Sequence, residues 1–580
     1  MKTKLFLAAM AAVAVIGCQK EPAGSISAPD GDASFLKVDL RAAGSLTKAG
    51  EDTFEYGEET ENAVETIHFY FFDSDDKAYA VDGATNNYVV TNTDADWTKN
   101  GDKTNVAAIS DAVLVIKQSK QAPPAKMVVV LNAPTIAAKT LADLRAEIST
   151  LTTNGYFIMS NSVYVEGGAV VDATPIMSAN IFAANHLYRE DGTEINVGTV
   201  LPDTDVYTEK GGLAENKITV KPVDIYVERV AAKVRVSLDE DNAVVIAGST
   251  AIPVMDGKNP ASQVKFGESN VYAKVLGWQI TNNTSKAYLL KKVDPSWTED
   301  GLGFTWNASS LYRSYWATTT DEPKHNFTFN QVMGHNPEAG YDYYFENTKG
   351  YNPDGNKTDV NNAAGDNAFD NKLGENGNQA SQLLVAAQLV DGNGKPLEIA
   401  KWYGVQYTVP ALKTAMVATV ASKIYVVEGA GYRTIDEDDV VFYQVAQNTE
   451  DNRYEVKVTV DPNKTYYSPT SEGTFTVDNK GAETLLAGID PAQMWTTGYT
   501  YYYTTIKHFG AAGKDGEYGI VRNHVYDVNI DGVTGFGTPV YDPTHIITPE
   551  KPEEDVALNL SARINILAWH LVSQDVTLGM

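Results

Sequence analysis

The chain has 580 residues but only one cysteine, Cys18. Disulfides within the chain are therefore excluded, and so are metal sites that require several thiolates. The eight histidines are dispersed and none belongs to an H-E-x-x-H array. No Walker A or G-x-G-x-x-G signature follows a strand pattern. We therefore expect no metal, no cofactor and no catalytic residue, and we predict that the protein is not an enzyme.

Basic residues are scarce, with 46 Lys and Arg against 75 Asp and Glu, which gives a formal net charge of −29. A nucleic-acid backbone would be repelled by this charge, so nucleic-acid binding is excluded as a function. The same charge favours the solubility of an exposed protein. The length exceeds what a single hydrophobic core usually supports, which predicts at least two domains.

Long apolar runs are also missing, and the longest one, Leu5 to Ile16, is too short to span a bilayer. It follows Lys2 and Lys4 and ends at Gly17-Cys18, which predicts a lipoprotein signal peptide over residues 1–18 with Cys18 as the lipidated residue. An ordinary signal peptide with an incidental cysteine is the alternative. We expect membrane contact only through the lipid of the precursor.

Three groups of charged residues could carry chemistry, but a structural role is favoured for each. Glu228 and Arg229 lie within a strand pattern, where a cross-strand salt bridge is expected rather than an active-site pair. The acidic run from Asp436 to Asp439 is typical of a solvated turn. Asp354, Asn356 and Asp359 lack the glycine and the terminal glutamate of a calcium loop.

Short stretches rich in β-branched and aromatic residues, separated by polar turns, make up most of the chain. The predicted strands include Val64–Phe72, Val113–Ile116, Met127–Leu131, Tyr156–Ser160, Ile225–Val236, Val271–Thr281, Asp342–Asn347, Ser381–Val390, Lys423–Glu428 and Tyr454–Val460. One helix is predicted within Thr140–Leu151. The predicted fold is mostly β, with two tandem β-sandwich domains of transthyretin- or immunoglobulin-like type, residues 49–240 and 241–546, and few short helices.

Two segments have the pattern of strands that need a partner. Near the N-terminus Leu36, Val38 and Leu40 alternate with charged residues after a polar tether. Near the C-terminus a polar linker leads to a long alternating segment, which would expose an apolar face if it stood alone. Its apolar positions, within residues 547–580, are Val556, Leu558, Leu560, Ala562, Ile564, Ile566, Trp569 and Leu571.

These features together resemble the type V fimbrial subunits of Bacteroidales, and within them the Mfa-type major structural subunit of short fimbriae. The residues that carry the resemblance are the lipobox at Cys18, Val227–Val234, Tyr501–Tyr503, Ile520–Ile530 and the tail from Ile566 to Leu578. They are distributed over the whole chain.

The resemblance implies a lipid-anchored precursor at the outer membrane that a trypsin-like protease specific for Arg or Lys matures. By position the cut falls between Lys48 and Ala49, with Arg41 as the second choice, although the family more often has Arg there. Cleavage would remove residues 19–48, including the strand that contains Leu36, Val38 and Leu40. The C-terminal strand of a neighbouring subunit would then fill the vacated groove.

We therefore predict a structural subunit of a surface fimbria that supports adhesion, biofilm formation or colonisation. Its expected partners are identical subunits in a head-to-tail filament, anchor and tip subunits, and the maturation protease. The alternatives are a tip or accessory adhesin, a surface glycan-binding lipoprotein and, least favoured, a secreted hydrolase. A glycan-binding protein could use exposed tryptophans, for which the candidates are Trp97, Trp278, Trp297, Trp316 and Trp402.

Overall fold

The structure is a computed structural model that describes a defined part of the chain. The described residues are 34–43, 57–80, 85–91, 98–99, 106–116, 124–161, 187–188, 194–195, 223–256, 259–291, 320, 326–335, 340–346, 381–444, 455–508, 519–544, 546–547 and 570–579. Over these residues the protein consists mainly of β-strands with a few short helices, which confirms the predicted fold class. The division into two sandwich domains stays a prediction.

The strands are named in chain order. The first group is β1 (Ser34–Ala43), β2 (Thr66–Phe72), β3 (Asn87–Thr91), β4 (Thr98–Lys99), β5 (Val106–Ile116), β6 (Lys126–Leu131), β7 (Ile148–Ser149), β8 (Thr152–Thr153), β9 (Tyr156–Phe157), β10 (Met159–Asn161), β11 (Leu187–Tyr188), β12 (Glu194–Ile195) and β13 (Val223–Arg229).

The second group is β14 (Ala231–Leu238), β15 (Val244–Ile246), β16 (Ser249–Asp256), β17 (Asn259–Gln263), β18 (Lys265–Phe266), β19 (Ser269–Asn270), β20 (Tyr272–Thr281), β21 (Ala287–Tyr288), β22 (Phe327–Thr328), β23 (Tyr341–Phe345) and β24 (Gln382–Val390). The third group is β25 (Ile399–Trp402), β26 (Val405–Thr408), β27 (Tyr425–Glu428), β28 (Gly431–Thr434), β29 (Val440–Gln444), β30 (Val456–Val460), β31 (Tyr467–Pro469), β32 (Phe475–Val477) and β33 (Gln493–Trp495). The last group is β34 (Tyr499–Thr505), β35 (His524–Thr534), β36 (Thr538–Pro539), β37 (Ile546–Ile547) and β38 (His570–Gly579).

The helices are short. They are α1 (Glu59–Asn62), α2 (Leu141–Ala146), α3 (Phe329–Met333), α4 (Val409–Ala418) and α5 (Asn479–Ala487), and 3-10 turns span Ala421–Lys423, Glu437–Asp439 and Thr496–Gly498. Helix α2 is shorter than the predicted helix within Thr140–Leu151. The helix ends at Ala146 because the backbone of Glu147 is extended, and the residues that follow form β7, which pairs with β21.

The first large sheet contains ten strands in the order β12-β11-β1-β13-β10-β6-β2-β3, and β5 lies against β1 and β4. Towards one end of this order β2 and β6 pair antiparallel, from Ile67–Leu131 to Phe72–Lys126. Nearly every residue of these two strands is buried, as expected for a strand that is covered on both faces. Their apolar side chains pack with Leu141 and Leu144 of α2.

The second large sheet contains eleven strands in the order β23-β14-β35-β16-β20-β24-β34-β36, with β15 and β17 beside β16 and β38 beside β35. The stretch Ile225–Val236, which the sequence pattern predicts as one strand, is divided between the two large sheets. β13 belongs to the first sheet and β14 to the second, and Val230 separates them.

A smaller unit lies between β24 and β34, which are themselves neighbouring antiparallel strands of the second sheet. It contains α4, α5 and the strands β25 to β33, and its own core includes Leu412, Met416, Tyr466 and Leu486. Because β24 and β34 pair with each other directly, this unit adds no strand between them in the second sheet. We call the unit, which lies between Val390 and Tyr499 in the sequence, the excursion.

Helix α3 lies against a bulge of β20 at Gly277, where a side chain has no room. A Cβ atom at Gly277 would come within 2.4 Å of the Val332 carbonyl oxygen and 2.6 Å of the His335 carbonyl oxygen.

We expect Gly277→Ala to lower the free energy of unfolding by about 1–3 kcal/mol, because α3 must shift. Urea denaturation measures the change. The control is Gly392→Ala, whose Cβ meets only the Tyr272 ring at 3.9 Å; equal losses in both variants contradict the prediction.

Candidate assembly site

The predicted displaced strand is β1, and it lies inside the first sheet. One edge of β1 pairs antiparallel with β5 along residues 34–43. The other edge pairs in parallel with β13 from Val38 to Ala42, and antiparallel with β11 at Phe35 and Leu36. The backbone of β1 is therefore hydrogen-bonded on both sides. Without β1 the sheet would have a slot between β5 and β13, two strands that run in opposite directions.

The last described strand, β38, lies in the second sheet. It pairs in parallel with β35 from His570 opposite His524 to Gly579 opposite Thr534, with a shift of register between Ile530 and Gly532. Leu571, one of the predicted donor positions, lies opposite Val525. In this single chain the end of the predicted donor segment is thus paired with a strand of its own chain.

At Val230 the chain passes from β13 of the first sheet to β14 of the second, and we call this point the crossing. The buried side chain of Arg229 holds the crossing in place. Arg229 is 3% exposed. Its Nε donates to the carbonyl oxygen of Glu61 at 2.8 Å, its Nη1 donates to Oδ1 of Asn523 at 2.8 Å, and its Nη2 donates to Oδ1 of Asn62. Asn523 has a left-handed φ of 58°, which Asn tolerates better than most residues. Arg229 therefore ties α1 and the residue before β35 to the crossing.

Glu61 of α1 is the acceptor for a second buried cation on the other side of the crossing. Lys233 of β14 places Nζ 2.9 Å from Oε1 of Glu61, and the Tyr343 hydroxyl donates to the same oxygen. Lys233 Nζ also lies 3.8 Å from the centroid of the Tyr341 ring. Burial acts to raise the pKa of Glu61, but Arg229, Tyr343 and Lys233 outweigh it and hold the pKa below its ordinary value. Glu61 is therefore a buried carboxylate with its charge compensated.

A neighbouring group contains two further buried acids and two buried bases. Nζ of Lys291 lies 3.1 Å from Oε1 of Glu228, and both side chains are shielded from solvent. Arg522 forms a two-pronged pair with Glu346, in which Nε donates to Oε2 at 3.0 Å and Nη2 donates to Oε1. Nη1 of Arg522 also donates to the carbonyl oxygen of Leu289 at 3.1 Å. This group joins β13 to the segments that follow β21 and β23 and to the segment that precedes β35.

The charges of this second group depend on one another. Burial lowers the pKa of Lys291, whereas the carboxylates of Glu228 and Glu346 act to raise it. Buried ions of this kind are tolerated only when each has its partner, because a charge left alone in the interior has lost its hydration without compensation. The arrangement is therefore structural, and it is intolerant of any movement that separates a pair.

The salt bridge that the sequence predicts at Glu228 and Arg229 is formed by Glu228, whose partner is Lys291. The two residues are adjacent in β13, so their side chains leave the strand on opposite faces. Glu228 pairs with Lys291, and Arg229 hydrogen-bonds to backbone and amide oxygens. The acidic run from Asp436 to Asp439 forms a 3-10 turn in which Asp439 binds Arg433 and Lys464.

The histidines near β35 serve hydrogen bonding within the core. Nδ1 of His524 lies 2.8 Å from the carbonyl oxygen of Arg522, and the Tyr526 hydroxyl lies 2.9 Å from Nδ1 of His508. The same hydroxyl accepts from the backbone N–H of Val521 at 2.8 Å. Among the described residues no group of three or more His, Cys, Asp or Glu side chains is placed to hold a metal ion.

Several predicted site residues lie outside the described residues: Cys18, Lys48, Ala49 and the donor positions from Val556 to Trp569. Leu36, Val38, Leu40 and Arg41 lie in β1, and Leu571 lies in β38.

In the described part of the chain there is no helix with the length and apolarity that crossing a bilayer requires. The buried charges at the crossing were not predicted as a group. Glu228, Arg229 and Arg522 are charged residues inside strongly apolar stretches of the sequence, and this position could have indicated that they are buried and paired.

Comparisons with known proteins give one informative match. Residues 493–575 match the family model described as major fimbrial subunit protein type IV, fimbrillin, C-terminal. The match covers β33 to the first half of β38 and confirms the resemblance to fimbrial subunits in this region. It indicates a structural rather than an enzymatic protein. No curated protein matches the chain.

The solved structures that match the chain have little sequence in common with it. A fimbrial assembly protein from Parabacteroides distasonis is 10% identical with a TM-score of 0.26, over 77% of this chain and 100% of that one. The tip fimbrial protein Mfa3 from Porphyromonas gingivalis, with a C-terminal truncation, is 11% identical with a TM-score of 0.24, over 74% of this chain and 99% of that one. At these scores the superpositions carry no argument about function.

The buried pair of Arg522 and Glu346 should be among the most sensitive places in the protein. We expect Arg522→Gln to lower the free energy of unfolding by about 3–5 kcal/mol, because Glu346 is left charged and uncompensated in the interior. The control is Arg235→Gln, which removes a half-exposed pair with Asp527 and should cost about 1 kcal/mol or less.

Chemical denaturation of both variants measures the difference. The double variant Arg522→Met with Glu346→Leu should recover part of the loss, because no charge is then buried. Similar small losses for Arg522→Gln and Arg235→Gln would show that the buried pair has no special weight.

Proposed function

We propose, from the premise that residues 493–575 are the C-terminal region of a fimbrial subunit, that the whole chain is a structural subunit of a cell-surface fimbria. In this proposal it is exported as a lipoprotein with the lipid on Cys18, is cut by an Arg- or Lys-specific protease, and polymerises by exchange of strands with identical subunits. Anchor and tip subunits end the filament. Its place after maturation is the fimbria, and the precursor is held at the outer membrane by its lipid.

The observation that carries the proposal is the position of β1. The strand that the predicted cut would remove is an interior strand of the first sheet, with ladders on both edges. An empty interior position leaves two rows of unpaired backbone groups, and buried backbone groups without partners are strongly unfavourable. A strand from another copy restores both rows at once, which is β-augmentation.

The tail supplies a suitable apolar strand for this slot. Burying one Val, Leu or Ile side chain contributes about 1.5–3 kcal/mol, so five or six such positions between Val556 and Ile566 could contribute on the order of 10 kcal/mol before ordering costs. Donor and slot are different surfaces of the subunit, so the contact is head-to-tail and grows a filament instead of closing.

The pairing of β38 with β35 fits a swap between copies. When the tail enters a neighbour, β38 can leave β35 of its own chain and form the same parallel ladder with β35 of the neighbour. Such an exchange replaces each backbone hydrogen bond by an equivalent one, so its net cost in hydrogen bonding is small. The gain then comes from filling the slot left by β1.

The position of Arg41 favours Lys48 as the cleavage site. Arg41 lies within β1, opposite Ile109 on one side and Tyr226 on the other. A protease binds its substrate backbone in extended form, so Arg41 would first have to leave both ladders. Lys48 follows the last residue of β1, Ala43, by a short segment. Cleavage after Lys48 also removes all of β1 from the mature chain.

Charges placed on the apolar face of the tail should prevent assembly. We expect Leu560→Asp combined with Ile564→Asp to leave processed subunits that do not polymerise, because buried carboxylates would oppose insertion. The matched control, Asn559→Asp combined with Asn565→Asp, adds the same charge to the opposite face and should polymerise. Electron microscopy and unheated SDS gels detect the filaments. Normal filaments from the first variant would rule out the tail as donor.

Removal of the basic residue at the predicted cut should block maturation. We expect Lys48→Ala to accumulate an unprocessed precursor that cannot polymerise, because β1 remains in its position. Arg41→Ala serves as the control and should mature normally. Western blots give the extent of processing, and N-terminal sequencing of the mature chain gives its first residue. A mature chain that begins anywhere other than Ala49 contradicts this assignment.

A further inference from the structure

The excursion between β24 and β34 carries an exposed aromatic surface that neither the fold nor assembly explains. It is one face of a four-stranded sheet in the order β28-β27-β31-β32. We name it the tyrosine face. Alternation along the strands and the register between them place on it Tyr425, Val427, Tyr432, Thr434, Tyr467, Pro469, Phe475 and Val477.

The opposite face of the same sheet is the one that packs on a core. Val426 of β27 is 5% exposed and Tyr466, just before β31, is 1% exposed, and both belong to the core of the excursion. The stability of this sheet is therefore accounted for by that side. On the tyrosine face Val427 is 54% exposed, Val477 is 61% exposed and Tyr432 is 42% exposed. The tyrosine face therefore leaves apolar and aromatic side chains open to solvent, which makes it a candidate interaction site.

The rings of the tyrosine face form one connected cluster. Tyr432 stacks on Phe475 with ring centroids 4.2 Å apart and an interplanar angle of 22°. Tyr432 also meets the edge of Tyr467 at 5.0 Å, and Phe475 meets the edge of Tyr425 at 4.8 Å. The rings therefore hold one another in place. A ligand meets a preformed aromatic platform and few side chains have to be ordered on binding.

The size and charge of the tyrosine face decide which ligand it fits. A flat sheet of four strands of three or four residues would span roughly 14 Å by 10 Å. Tyr432 and Phe475 lie on the two outer strands, β28 and β32, yet their rings stack, so the sheet curls towards this face and its open surface is smaller than that. A stable protein interface buries about 800 Å² on each partner. A second copy of the chain is thus a poor fit. None of the eight outward positions is charged, although the whole chain carries a net charge of −29. An ionic ligand would have no partner there.

We propose that the tyrosine face binds a neutral carbohydrate chain. The apolar C–H face of a pyranose ring packs against an aromatic ring, and its hydroxyl groups stay in water or bond to tyrosine hydroxyls at the rim. A few sugar units match the area, the neutrality and the rigidity of the platform. The tryptophans that the sequence suggested for this purpose do not form it: Trp278 and Trp402 are buried, and Trp97, Trp297 and Trp316 lie outside the described residues.

The test is calorimetric titration of the full-length chain with neutral oligosaccharides of glucose, galactose, mannose, xylose and N-acetylglucosamine. We expect at least one to bind in the micromolar to millimolar range, with an affinity that does not change with salt concentration. Tyr432→Ala should weaken that binding about tenfold, because the stacked pair with Phe475 is lost. Val477→Lys places a charge on the platform at an exposed position and should weaken it without affecting folding.

The matched control is Tyr403→Ala, which removes a tyrosine that is 70% exposed on the same excursion but is not on this face. It should bind as the unaltered chain does, and near-ultraviolet circular dichroism checks that every variant is folded. The proposal is overturned if no oligosaccharide of the panel binds, if Val477→Lys and Tyr432→Ala bind normally, or if Tyr403→Ala loses binding equally. It is also overturned if the face mediates self-association that Val477→Lys abolishes. Filament formation is independent of these outcomes.

Discussion

The structure depends on buried charges at the point where the chain passes from the first large sheet to the second. Arg229 and Lys233 lie on either side of Val230, and both reach the short helix α1 through Glu61. Arg522 and Lys291 complete the arrangement with Glu346 and Glu228. Because these ions are buried, each has to keep its partner, since separating a buried pair costs several kcal/mol. A small shift of one strand would change hydrophobic contacts only gradually, whereas it would separate a buried ion pair and leave its charges uncompensated. It fixes the relative positions of β13, β14, β23 and the start of β35.

Both strands that take part in the proposed assembly pair with strands that leave this network. β1 pairs with β13, which ends at Arg229, and β38 pairs with β35, which begins directly after Arg522 and Asn523. A slot emptied by the loss of β1 would therefore keep one rigid wall, since β13 is held by charges that do not involve β1. Preorganisation of this kind lowers the cost of inserting a new strand, because little has to be ordered when it arrives. In the proposed assembly, the interactions that stabilise the single subunit would therefore also keep the slot in a shape that can accept a strand.

Local patterns in the sequence predict much of the fold, and long-range contacts limit the rest. Alternation correctly indicated β1 and β2, and short runs of apolar or β-prone residues correctly indicated β6, β20 and β24. We did not predict that Ile225–Val236 is divided between two sheets, although the apolar positions change phase at the crossing, from Ile225 and Val227 to Val230 and every second residue after it. Helices α4 and α5 were missed, although Thr408 and Asp478 cap them with side-chain hydrogen bonds. The charged network is beyond local reasoning, since Arg229 and Asn523 are 294 residues apart and Arg522 and Glu346 are 176 apart.

The strands around β1 define what a replacement strand in the proposed filament has to match. β1 is antiparallel to β5 and parallel to β13, so a strand that enters in the direction of β1 reproduces both ladders. A reversed strand would instead have to form an antiparallel ladder with β13 and a parallel ladder with β5. A one-residue slip would move every apolar side chain to the other face. The register is therefore set by the apolar side chains of the incoming strand. Because donor and slot are different parts of the subunit, every subunit adds to the proposed filament in the same orientation.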